Sequence, residues 1–176
     1  LGVIGAGLMG SGIAYVSVAQ AGARVRLRDR DDSAVLQGLA SVRRLLAKDE
    51  RRGRVSKHDT EARQAKLSAS TDGRGFEHVD LVIEAVFEKL EVKHDLFTRP
   101  DEVVAPETVM ASNTSAIPIS EIAAAVRHPE NFLGLHFFNP VPMMAAVEVI
   151  KGITTSDDVF EAGGGFVRSL GKEPIM

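Results

Sequence analysis

The pattern Gly5-x-Gly7-x-x-Gly10 constrains this chain more than any other feature, because it follows a short apolar run, Leu1 to Gly5, and opens a helical run from Leu8 to Ala21. A strand that passes straight into a helix needs its first glycine for the tight turn. The second lets backbone approach a bound group, and the third lets the helix lie close against the strand. The unpaired N–H groups of the helix's first turn then favour an anion such as a pyrophosphate. Taken alone, the pattern also describes an ordinary tight turn, and its surroundings weigh against that. Met9, Ile13 and Val16 lie on one helical face and Ala14, Val18 and Ala21 on another, as in a buried helix. Gly22 ends it, and Arg24 to Asp29 alternates as a strand does. Asp29 falls about 20 residues beyond the third glycine, where a carboxylate can accept hydrogen bonds from the adenosine ribose hydroxyls and repels a 2′-phosphate. Arg28 and Arg30 flank it and are of the type that accommodates such a phosphate, but the better-placed residue is the acid. The cofactor expected is therefore NAD rather than NADP.

The same alternation continues. Asp31, Asp32 and Ser33 are N-cap candidates for a helix with the stripe Val35, Leu39, Val42 and Leu46, followed by a charged tract from Lys48 to His58 and a polar helical stretch to about Lys66. Strands are expected at Leu67 to Ser70, Asp80 to Val86, Thr108 to Ala111, Phe132 to Phe138, Ala145 to Ile150 and Pro174 to Met176. Helices are expected at Leu90 to about Val104, Ile119 to Val126 and Asp157 to Leu170, the last with Gly171 as its C-cap. Strands alternating with helices imply an α/β fold: a Rossmann-like, doubly wound, mostly parallel sheet with helices on both faces and ligands at the carboxyl ends of its strands. The 176 residues, 44% hydrophobic and 26% charged, suit one such domain spanning 1–176. With no cysteine there is no disulfide, thiolate metal site or thiol nucleophile, and no metal is expected. A net charge of −3 gives no general attraction to nucleic acid, and no apolar run reaches the roughly 20 residues of a membrane span.

Four ordered blocks carry a resemblance. They are GAGLMGSGIAYVSVAQAG at Gly5 to Gly22, DLVIEAVFEKLEVKHDLF at Asp80 to Phe97, ASNTSAIPISEIA at Ala111 to Ala123, and GLHFFNPVPMMAAVEVI at Gly134 to Ile150. Through them the chain resembles 3-hydroxyacyl-CoA dehydrogenases over nearly its whole length, especially the dehydrogenase part of multifunctional fatty-acid oxidation enzymes. The resemblance implies that His136 is the general base that takes the 3-hydroxyl proton and that Glu148 holds its tautomer and stabilises the imidazolium. Without it, a histidine in an apolar strand reads more readily as a satisfied core residue. Ser115 is implied to hydrogen-bond the substrate oxygen, its plain alternative being a helix cap. Asn139 is implied to lie near the nicotinamide and the substrate, its alternative being a turn residue before Pro140. Leu8, Met9 and Asn113 join Gly5, Gly7, Gly10 and Asn139 as implied cofactor contacts, and Glu88 and Lys93 are placed beside the nicotinamide ribose. Ser41 and Lys48, two helical turns apart, correspond to positions that contact coenzyme A, with Arg51, Arg52 and Arg54 as further phosphate partners. A charge run of this kind is equally a wet surface.

The activity implied is NAD-dependent oxidation of an L-3-hydroxyacyl-CoA to the 3-ketoacyl-CoA in fatty-acid β-oxidation. The alternatives are a 3-hydroxybutyryl-CoA dehydrogenase of short-chain metabolism and a non-catalytic NAD-binding relative. The first residue is not methionine and sits inside an apolar run, so the chain is expected to be part of a longer protein. The resemblance implies a following helical domain that completes the substrate site and makes the dimer, so a homo-oligomer or a multifunctional complex is expected. It also implies a cytoplasmic location in a bacterium and a mitochondrial or peroxisomal matrix location in a eukaryote. Two features fit poorly: Pro100, expected to end or kink its helix near Arg99, and Gly163-Gly164-Gly165 inside the last helix, where each glycine costs roughly 1 kcal/mol against alanine.

Overall fold

A computed structural model describes residues 1–101 and 104–176. The elements run β1 (Gly2–Ile4), α1 (Leu8–Ala19), β2 (Val25–Arg28), α2 (Asp32–Arg51), α3 (Lys57–Gln64), β3 (Leu67–Ser70), β4 (Leu81–Glu84), α4 (Leu90–Asp101), β5 (Val109–Ser112), α5 (Ile119–Ala123), β6 (Phe132–Phe137), β7 (Ala146–Lys151), α6 (Asp157–Ser169) and β8 (Glu173–Ile175). The strands make one sheet in the order β3-β2-β1-β4-β5-β6-β7-β8. Strands β1 to β6 are mutually parallel, in the doubly wound order that reverses direction at β1 and opens a crevice there. Strand β7 runs antiparallel to β6, and β8 runs parallel to β7.

Period-two alternation divides the core into two layers. Val3, Ile83, Ala111 and Leu133 face a cluster with Ile13, Val42 and Val167, while their neighbours Ile4, Val82, Met110 and Phe132 face a second cluster with Phe76, Phe97 and Ile122. Phe97 meets Phe132 edge-on in the second layer, with ring centroids 4.9 Å apart at 81°. Burial on both faces is why these strands read as continuous apolar runs.

Several boundaries differ from expectation for local reasons. Asp31 is the N-cap of α2, and the helix continues through Lys48 to Arg51, so the start of the charged tract belongs to it. Ser56 and Asp59 then form a reciprocal capping box that starts α3. Helix α5 stops at Ala123 rather than Val126, because the next turn tightens through Ala125 N–H to Ile122 O and Val126 N–H to Ala123 O, each 3.2 Å. Helix α4 runs through Pro100 to Asp101, two residues past the end or kink expected at Arg99, and its expected continuation to Val104 crosses 102–103, outside the described residues.

The glycine triplet acquires a packing reason at one of its three positions, Gly163. A Cβ on Gly163 would lie 2.3 Å from Leu133 Cδ1, and one on Gly164 would lie 2.9 Å from Met176 Sδ. Close approach of α6 to the buried Leu133 of β6 requires a small residue at Gly163, whereas the exposed end of the Met176 side chain can move aside for a Cβ at Gly164. At Gly165 no atom of the described residues comes within 4 Å of a built Cβ.

Candidate active site

The glycine turn joins β1 to α1 at the carboxyl edge of the sheet. Gly5 has φ +96°, and a side chain there would meet Ala85 O at 2.6 Å. A Cβ on Gly10 would lie 1.7 Å from Gly5 O, so α1 and β1 pack too closely for any other residue. Gly7 differs: among the described residues nothing lies within 4 Å of its Cβ position, which leaves a hollow before the helix N-terminus. Gly7 is also the N-cap and offers no capping side chain, and the first turn, Leu8 to Ser11, carries no acid. Leu8 is exposed and Met9 half-buried. Asp29 Oδ2 accepts the Ala6 N–H at 2.7 Å and Oδ1 accepts the Arg30 N–H at 2.7 Å. Each oxygen keeps a further lone pair for a ribose hydroxyl. Arg30 is exposed and paired with Asp31 at 3.0 Å, while Arg28 is buried at the end of β2. Hollow, uncapped helix and acceptor pair together fit a dinucleotide.

A buried polar cluster stands behind this crevice. Glu84, at the end of β4, and Lys93, on α4, are both 0% exposed. Lys93 Nζ donates to both Glu84 oxygens at 2.8 Å, and Ser112 Oγ and the Val86 N–H donate to the same carboxylate at 2.6 and 2.7 Å. Lys93 also reaches Glu88 Oε2 at 3.3 Å. Lys93 thus lies behind Glu88, and Glu88, partly exposed, is the member of the pair that faces outward. Glu88 Oε1 accepts from Thr114 Oγ1 at 2.5 Å and from the N–H groups of Ser115 and Ala116 at 2.8 and 3.1 Å. Partial burial acts to raise the Glu88 carboxyl, but the Thr114 and backbone hydrogen bonds and the Lys93 charge outweigh it and bring it down to about 2. Ser115 does not cap α5, whose N-cap is Pro118. It is exposed, and its backbone is held by Glu88.

The antiparallel register of β6 and β7 sets His136 directly opposite Glu148. His136 Nδ1 and Glu148 Oε2 are 2.7 Å apart, with the two side chains 19% and 41% exposed. An ionised carboxylate only accepts, so Nδ1 carries the hydrogen and Nε2 presents its lone pair. Asn113 Oδ1 accepts the Phe137 N–H at 2.8 Å and ties the loop that carries Ser115 to the end of β6. Asn139 is exposed just beyond that strand.

Asn139 also marks one end of a cleft of about 960 Å³ between α1, α2 and the 139–145 loop. Ser41, Lys48, Arg52 and Arg54 line it, together with Arg44, Tyr15, Asp49 and Lys172. Arg51 is not among the lining residues. Lys172 Nζ donates to Val141 O at 2.7 Å and Met144 O at 2.5 Å and so ties down the loop; burial pushes its pKa below the usual lysine value. Arg44 was legible from its three- and four-residue spacing to Ser41 and Lys48. Tyr15, Asp49 and Lys172 had no such signal, because each acts across elements. Among the described residues no cluster of histidine and carboxylate groups could hold a metal ion.

A family model described as 3-hydroxyacyl-CoA dehydrogenase, NAD binding domain, matches residues 1–176. The alpha subunit of the fatty acid oxidation complex from Vibrio parahaemolyticus is 41% identical over all 176 residues, and the chain spans 25% of that relative's length. Two solved structures are similar: 3-hydroxybutyryl-CoA dehydrogenase from Escherichia coli K12 (TM-score 0.93, 40% identity) and (S)-3-hydroxybutyryl-CoA dehydrogenase from Ralstonia eutropha (TM-score 0.94, 38% identity). Each alignment covers 99% of this chain, and 37% and 61% of the respective relative.

Proposed function

The chain belongs to the family of NAD-binding domains of 3-hydroxyacyl-CoA dehydrogenases, and from that premise we propose that the protein carrying it oxidises an L-3-hydroxyacyl-CoA to the 3-ketoacyl-CoA. The observation that carries this reading is the His136 to Glu148 contact of 2.7 Å at the carboxyl end of β6, a base with its orienting acid at the strand ends where the cofactor turn also lies. A bound nicotinamide supplies the two-electron acceptor. His136 Nε2 takes the 3-hydroxyl proton, and Glu148 stabilises the imidazolium that results. Ser115 presents its hydroxyl to the substrate oxygen from a turn made stiff by Glu88. Asn113 holds that turn against the strand of the base, which supports a constant distance between the two groups. Gly5, Gly7, Gly10, Leu8, Met9 and Asp29 hold the adenosine and pyrophosphate half of the cofactor, and Glu88 and Asn139 its nicotinamide side, with Lys93 fixing Glu88 from behind. Ser41, Lys48 and the arginines of the cleft take the coenzyme A portion, whose phosphates suit a cationic wall.

The chain spans only part of its relatives, so a further domain completing the acyl site, and assembly within a multifunctional oxidation complex like that of the Vibrio relative, belong to the same proposal. No helix among the described residues is long and apolar enough to cross a membrane.

The test uses the longest native polypeptide containing this chain, with acetoacetyl-CoA and NADH, followed by loss of nicotinamide absorbance. Turnover is expected, and its absence would sink the enzymatic reading in favour of a non-catalytic binder. His136→Gln is expected to lower kcat by about 10²-fold or more while cofactor affinity holds. An unchanged rate in that variant would remove His136 from the mechanism.

A further inference from the structure

The cleft between α1 and α2 has a charge distribution that the family assignment does not explain. Five of its lining residues are cations: Arg44, Lys48, Arg52, Arg54 and Lys172. Among the described lining residues Asp49 is the one acid, and it is buried, 7% exposed, in the last turn of α2. A carboxylate withdrawn from water at a helix C-terminus meets both a desolvation cost and an unfavourable macrodipole, so it persists only where partners compensate it. Two do. Tyr15, from the middle of α1, donates its hydroxyl to Asp49 Oδ2 at 2.5 Å. Arg54 Nη1 approaches Asp49 Oδ1 at 3.2 Å. Burial first, and then the Asp49 hydrogen bond and charge, push the Tyr15 phenol up to about 12, so it remains a donor throughout the physiological range.

The backbone is shaped for this contact. Gly53 adopts φ +68°, its N–H bonds Glu50 O at 2.8 Å, and the Arg54 N–H bonds Asp49 O at 3.0 Å. The chain leaving α2 therefore doubles back and returns Arg54 to the cleft it would otherwise leave. The Arg54 side chain is 61% exposed while its partner carboxylate is 9% exposed. A surface arginine ordinarily samples many rotamers, and an exposed ion pair does little to restrain it. Here the anchor is a buried carboxylate fixed from the other side by a tyrosine of a different helix, and the guanidinium has further donors for an anion in the cleft.

We propose that Tyr15 and Asp49 are positioning residues that hold the Arg54 guanidinium at the cleft wall to receive a phosphate of the substrate's nucleotide-bearing thiol carrier. The inference rests on the reading above that this cleft takes the coenzyme A portion. It adds that affinity for the carrier depends on a side chain, Asp49, that would repel phosphate if Tyr15 and Arg54 did not compensate its charge.

The experiment compares the longest native polypeptide with its Asp49→Asn and Tyr15→Phe variants on two substrates, acetoacetyl-CoA and acetoacetyl-N-acetylcysteamine, which has the same reacting thioester without phosphates. Asp49→Asn is expected to lower the ratio of kcat/KM for the first substrate to that for the second by about fivefold, and Tyr15→Phe to lower it in the same direction by less. A purely structural role lowers both rates together and leaves the ratio unchanged, which overturns the proposal. Calorimetry with coenzyme A alone reads the same contact without turnover. Weaker binding to Asp49→Asn by about fivefold supports the proposal even if the parent protein turns over neither substrate, an outcome that sinks only the functional reading. Equal binding by parent and variant overturns it.

Discussion

Glu84 and Lys93 show how far one residue's surroundings can outweigh its type. Both are fully buried, and the Glu84 carboxylate is engaged by Lys93, Ser112 and the Val86 N–H. Removing one partner of such a pair leaves a charge without compensation in the interior. Lys93→Met is therefore expected to cost about 3–5 kcal/mol, read as a lower urea midpoint. The double variant Lys93→Met, Glu84→Gln should recover much of that loss, since the charge left behind is then gone; no recovery would mean that packing rather than charge sets the cost. Glu88 makes a prediction in pH. Its carboxyl lies at about 2 in the folded protein against an ordinary 4.5, so its contribution to stability is complete above about 4.5 and is lost as the pH falls toward 2. Glu88→Gln should flatten the stability profile in that acid window and lower it by a constant amount above. As sequence, Glu88 and Lys93 read as ordinary charges at the start of a helix, and only the resemblance singled them out. That Lys93 lies inside depends on how α4 packs against β4, which no local pattern records.

At the scale of elements, strands such as β4 were legible because parallel strands buried on both faces must be apolar, whereas the edge strand β3, with Ser68 and Ser70 and no buried residue, lacks that signal although it appears at the residues expected, Leu67–Ser70. Helix ends were less legible, since α5 closes by a tightened turn that depends on the chain leading to β6. The pairing of His136 with Glu148 belongs here too. Strand periodicity identifies β6 and β7 separately, but the antiparallel register that sets these two residues opposite each other is made by the return of the chain through 138–145. Helix α6 offers a test of the packing account of its glycines. Gly165→Ala meets no described atom within 4 Å and is expected to stabilise the protein by roughly 0.5–1 kcal/mol. Gly163→Ala places a methyl group against Leu133 and should lower the melting temperature. Equal stabilisation by both variants would show that α6 does not need close approach at Gly163.

For the whole molecule, the reversal of strand order at β1 opens a crevice between parallel strands, and the glycine turn and Asp29 lie along it. Asp29 grips the Ala6 N–H, so the acid proposed to select against a 2′-phosphate also holds the turn in place. Calorimetry is expected to show tighter binding of NAD than of NADP, and the reverse order would overturn the reading of Asp29. The sequence by itself determined the alternation of strands and helices, the cofactor turn and the acid at the end of β2, because each depends on periodicity, on a glycine's freedom or on short spacing along the chain. Tertiary structure alone decided that Lys93 is inside, that Asp49 in the wall of a cationic cleft is held by Tyr15, and that Arg54 returns to that cleft. Charged side chains read alike in sequence whether wet or buried, and the difference arises only when distant elements bring a partner that replaces water.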